Sequence, residues 1–188
     1  MTRQISDRVF YNGKRYLLVA AAPGTVFDPR EHGLQPAMIS TACVSGFWCE
    51  FAVEGDRLLL HRLHIHTEDG VYPRFNGVAP LLPLEDGELP TLLLEFIMGL
   101  VTYQADLPLS FSGRLLLGDG YGDDLHPGPL LPCGFAHLLE LVFDGGALTE
   151  VNDLSEDAAL ARRLRVAEDK TVSAAVRGLT ERCWWLRQ

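Results

Sequence analysis

Two imidazoles one residue apart, His64 and His66, are the side chains in this sequence best spaced for coordination chemistry. In an extended strand, residues i and i+2 share a face, so both rings would project together as two metal ligands do. A working site needs a third ligand, and Glu68, Asp69 or His126 would have to reach it through tertiary contacts. Two polar residues on the solvent side of a strand have the same spacing. A divalent metal at His64, His66 and Glu68 therefore stands beside a plainer reading, a chain without cofactor, and the plainer reading is the expectation.

A second constellation is acidic. Gly118-Asp-Gly-Tyr-Gly-Asp-Asp-Leu-His-Pro-Gly128 reads as a loop after a strand. Its glycine spacing is wrong for a dinucleotide fingerprint, and Pro127 and Pro129 preclude an immediate helix. It also lacks the ligand ladder of an EF-hand. Asp119, Asp123 and Asp124 remain candidates for contact with a cation or a basic partner, with a solvated connection as the default.

Nucleophilic chemistry finds less support. The four cysteines, Cys43, Cys49, Cys133 and Cys183, form no C-x-x-C pair and fit buried thiols in a reducing compartment. The chain holds no G-x-S-x-G elbow, no H-E-x-x-H and no P-loop. Catalytic residues stay unassigned.

The elements that position these groups follow from turn signals and periodicity. Asn12-Gly13 between two β-rich runs is a two-residue hairpin, since both central positions of a type I′ turn need positive φ. Phe47, Cys49, Phe51 and Val53 alternate with Trp48, Glu50 and Ala52, and Glu54-Gly55-Asp56 turns the chain into a return strand over 57–66. On that strand, alternation puts Leu59, His61, Leu63 and Ile65 on one face. Leu58, Leu60, Arg62, His64 and His66 take the other, whose polar end emerges toward solvent. Residues 92–101 are ambiguous between helix and buried strand, leaning to helix. Strands are expected over 109–117, broken near Gly113, over 135–143 and over 147–151. Asp153-x-x-Glu156 has capping-box spacing, and Leu160, Leu164 and then Val172, Val176, Leu179, Cys183 and Leu186 sit at helical intervals. Trp184 and Trp185 flank that stripe and finish its contact with the sheet.

The expected fold is α+β and mainly β. It is an antiparallel meander, partly closed barrel or sandwich, with one or two C-terminal helices packed on it. A chain of 188 residues, 47% apolar, suits a single domain, with 1–151 as the β body and 152–188 as the helical segment. No secretory h-region or membrane-length apolar run is present, so a cytoplasmic protein is expected. The net charge of −9 is uneven. From residue 161 onward seven basic residues outnumber three acids, leaving +4 there and −13 in the preceding 160 residues. Such a body repels polyanions, which argues against nucleic acid and for a basic protein partner; a homodimer is also compatible.

Thr41-Ala42-Cys43-x-x-Gly46-Phe47-x-x-x-Phe51-x-Val53, followed by Leu58-x-Leu60-x-x-Leu63, resembles small bacterial proteins built on a T-A-C-x-x-G-[YF] strand pair. Residues 107–113 and 138–143 fit the same pattern. The quoted residues are turn glycines and core apolars, so the resemblance implies a fold; no activity is established for that group, and no site residue is transferred. Function is therefore expected in one of two classes. The first is a non-catalytic interaction protein, an immunity- or antitoxin-like binder of a basic partner. The alternative is an enzyme or small-ligand or metal-binding protein with a composite loop site that includes His64 and His66.

Overall fold

The computed structural model describes residues 4–81, 100–122 and 130–166. Two three-stranded antiparallel meanders make up most of it. The first holds β3 (Phe47–Glu54), β4 (Arg57–Ile65) and β5 (Val101–Pro108); the second holds β6 (Gly113–Tyr121), β7 (Phe135–Asp144) and β8 (Ala147–Asp153). The hairpin of β1 (Arg8–Tyr11) and β2 (Lys14–Ala22) joins them, β1 pairing with β3 and β2 with β6. Its turn is the one the sequence predicts, with Asn12 at φ 50° and Gly13 at φ 74°. The β1–β3 pairing is parallel, so the sheet is mixed rather than a pure antiparallel meander.

The sheet closes on itself through β4. One edge of β4 pairs with β3 along its length, and the other carries β5 from Leu59 onward. At its start that second edge also meets β8, at Arg57 and Ala147. The result is a partly closed barrel whose inner face buries Val9, Cys49, Phe51, Leu58, Leu60, Leu63, Ile65, Tyr103, Leu115, Leu117, Leu141 and Phe143. A helix, α1 (Ser155–Val166), covers part of the outside, where Ala158 packs with Leu116, Phe135 and Leu138. Arg162 fixes that helix by donating from Nε and Nη2 to the carbonyls of Cys133 and Phe135, both at 2.6 Å.

Four sequence expectations change. Strict alternation on β4 fails at His61, where a β-bulge makes the register jump between Leu60 and Arg62. Leu58 and Leu60 therefore share the core face with Leu63 and Ile65 instead of opposing them. Residues 101–108 form a full strand, and the next strand begins at Gly113 rather than 109. It runs on to Tyr121, so Gly118, Asp119 and Gly120 are strand residues and not part of a loop. Asp153 caps from one residue further out than a capping box requires: its carboxylate accepts from the Ser155 amide at 2.9 Å, and the helix starts at Ser155. The stretch 92–99 and the apolar stripe from Val172 to Leu186, with Trp184 and Trp185, lie outside the described residues.

Candidate functional site

The outer face of the barrel carries the chemistry. Along one row, Cα pairings run from Gln104 on β5 through Arg62 on β4, Glu50 on β3, Arg8 on β1 and Leu17 on β2 to Gly118 on β6. Their neighbours of alternating parity fill the core, so this row faces outward. Arg8 donates to Glu50 Oε1 at 3.1 Å, with the Glu50 side chain only 8% exposed. Arg62 stands on the other side of Glu50, and its Nε is buried without a hydrogen-bond partner among the described residues.

The next row toward the chain-terminal side of β3 contains His64. Its ring stacks on Trp48 at 4.9 Å and 16°, and Nδ1 lies 2.9 Å from the Thr102 hydroxyl. His64, Trp48 and Thr102 are all buried. The expectation that this face emerges into solvent at His64 is therefore overturned: an aromatic stack and the bonded hydroxyl accommodate the imidazole under cover. His66 is half-buried just beyond β4, where its amide donates to Gly46 O at 2.9 Å. Glu68 is exposed in the following turn, and Asp69 there accepts from the Val71 amide. Among the described residues, no group of three or more His, Cys, Asp or Glu side chains is arranged to hold a metal ion.

A second imidazole, which sequence reasoning passed over, sits on the β4 bulge. His61 Nδ1 lies 2.6 Å from Asp106 Oδ1, with the Phe10 ring edge-on at 6.2 Å. Asp106 has φ +41°, a left-handed conformation that β5 adopts where its register with β4 shifts. Only the irregularity of two facing strands brings this pair together, and neither strand marks it locally.

Further round the outer face, a cleft of about 280 Å³ opens between β1–β2 and β6–β7. Arg8, Arg15, Leu17, Gly118, Gly120, Tyr121 and Phe135 line it. The Phe135 ring lies over Gly118 so closely that a Cβ there would fall 2.5 Å from it, which is why this strand position takes glycine. Asp119 also lines the cleft and bonds Lys14 Nζ at 2.6 Å. That hydrogen bond holds the Asp119 carboxyl below its usual range and raises Lys14, so the pair stays charged. Asp119 is thus committed to a cation of its own chain; Asp123, Asp124 and His126 lie outside the described residues.

The third outer feature is the seam where β8 leaves β4. Past Leu148, β8 keeps β7 on one side and pairs with no described strand on the other. Thr149, Glu150, Val151 and Asp153 are exposed. Val151 pairs with Leu141, a core residue, and therefore points to the core side, yet it is 44% exposed. Among the described residues, the barrel is open here.

The described cysteines are packed in the interior. Cys43, Cys49 and Cys133 are buried free thiols, and burial pushes the Cys49 thiol well above its ordinary range. The strand-pair motif is likewise architectural. Gly46, at φ 79°, would place a Cβ 2.3 Å from the Ala37 carbonyl oxygen. No family model matches the chain, and comparison with curated proteins and with solved structures also found no match. Among the described residues, no helix is long and apolar enough to cross a membrane.

Proposed function

We propose that this protein is a non-catalytic interaction protein that receives an extended, basic segment of another protein along the open side of β8. The carrying observation is the exposed Val151, a core-side residue on a strand whose outer edge meets no described strand. Such an edge offers backbone donors and acceptors to an incoming strand, and alternate side chains give specificity. Charge supplies the sign of the partner. Glu150 and Asp153 lie on the edge, and Glu156 and Asp157 follow in the first turn of α1. The body around them carries a net −13 before residue 161. An immunity- or antitoxin-like binder in the cytoplasm is one form such a protein takes.

The experiment is native mass spectrometry of the protein isolated from its source, followed by salt titration of any complex and by two variants. A stoichiometric complex with a basic protein, weakened by salt and lost in Val151→Pro and Glu150→Lys, supports the reading. A complex indifferent to salt removes the electrostatic part. A homodimer with the 149–153 amides protected from exchange gives the edge to a second copy and sinks the proposal. The composite-site alternative with His64 is disfavoured by the burial of that ring against Trp48.

A further inference from the structure

We infer that the cleft between β1–β2 and β6–β7 is a binding site for a small oxyanion carried on a flat ring, anchored by Arg15. The inference is independent of the β8 edge and concerns the opposite sign of charge. Arg8, Arg15 and Leu17 project from the same outer face of the hairpin, as the pairings Arg8 with Leu17 and Phe10 with Arg15 require. Arg8 is balanced by Glu50, and Lys14 is balanced by Asp119. Arg15 is exposed and forms no ion pair or side-chain hydrogen bond with a described residue. Among the described residues it is the one arginine lining the cleft without an acidic partner, in a chain whose net charge is −9.

The rest of the cleft favours a planar group. Its floor is strand backbone at the exposed Gly120, next to Gly118 buried beneath the Phe135 ring. Gly120 has φ +66°, a conformation that excludes most side chains from this spot. One wall is aromatic: the half-buried Tyr121 ring, which meets the fully buried Phe135 edge to face at 4.8 Å and 70°. An exposed guanidinium lining the same cleft as the Tyr121 ring and the open Gly120 backbone suits a carboxylate or phosphate attached to a ring. The volume of about 280 Å³ lies just below the range of drug-sized ligands, so the occupant is compact. Carboxylate and phosphate share the anchoring chemistry, and the test separates them.

The test is a titration of the ¹⁵N-labelled full chain with benzoate and with phenyl phosphate, following the Gly118 and Gly120 amides. Benzyl alcohol and inorganic phosphate serve as probes of the ring and the anion alone. The expected result is saturable movement of both amides with at least one ring oxyanion. Arg15→Gln should weaken it tenfold or more while leaving the urea midpoint unchanged, since the side chain is exposed. The ring oxyanion that saturates at lower concentration identifies the head group. Three outcomes overturn the inference: no saturation by about 10 mM of either compound, equal binding of benzyl alcohol or inorganic phosphate, or unchanged affinity in Arg15→Gln.

Discussion

The two faces of β3 and β4 belong to the same two strands, yet they bury different chemistry. Inward, Cys49, Phe51, Leu60, Leu63 and Tyr103 make an apolar interior with a single polar exit, the Tyr103 hydroxyl donating to Pro73 O at 2.7 Å. Outward, Trp48, Glu50, His64 and Thr102 are also buried, with Glu50 tied to Arg8 and His64 to Thr102. Burial alone does not make a core apolar. What distinguishes the faces is that the outward face buries polar groups, Glu50 and His64 partnered across a strand pairing and Arg62 Nε with no partner among the described residues, whereas the inward face admits almost none.

The sharpest way to break this comparison is truncation on each side. Leu63→Ala on the inner face should cost about 3 kcal/mol in urea denaturation, through lost transfer energy and a cavity. Trp48→Ala should cost about as much if the outer face is a second core. A value below about 1 kcal/mol would make that face ordinary surface.

Next in size is a pH effect at Asp7, which stands where β1 meets β3. Its carboxylate accepts from the Cys49 amide at 2.7 Å, and desolvation raises its pKa to about 6 despite that bond. The buried thiols Cys43 and Cys49 are the titratable groups that feel its charge. An acid whose folded pKa lies above its unfolded value of 3.8 favours the fold most when protonated. That stabilisation is fully present below about pH 4 and is lost as pH rises through about 6. From pH 7 to pH 5, the wild-type unfolding constant should fall about tenfold relative to Asp7→Asn, or about 1.4 kcal/mol. Parallel pH curves for the two proteins would remove the effect.

The smallest effect belongs to the outer ion pair. Glu50→Gln takes the counter-charge from Arg8, whose side chain is 38% exposed, and should cost about 1 kcal/mol. The loss should shrink in high salt. A loss unaffected by salt would mean that Glu50 acts by packing alone.

Much of the fold was legible because its signals are local. Asn12-Gly13, Glu54-Gly55-Asp56 and Asp144-Gly145-Gly146 announce their hairpins through positions that need positive φ. The bulge at His61 was not legible, since one extra residue leaves the composition of β4 unchanged while turning its first half over. That same slip hid the His61–Asp106 pair. His64 and His66 were singled out by spacing, but whether a strand face is bare or covered depends on what lies across it. The arginines of the cleft were invisible for the same reason: Arg8 and Arg15 meet Gly118 and Gly120 only after residues a hundred positions apart pair.

The hairpin that joins the two meanders sets a schedule for synthesis. Its strands leave the ribosome before either meander exists, and its two outer edges belong to β3 and β6. One seam can form once residue 54 has emerged, but the other must wait for residue 121. A hairpin docked on β3 alone would therefore keep one flank open through the making of β4 and β5. For that interval β2 would be an unclosed edge of the kind that invites pairing with another chain.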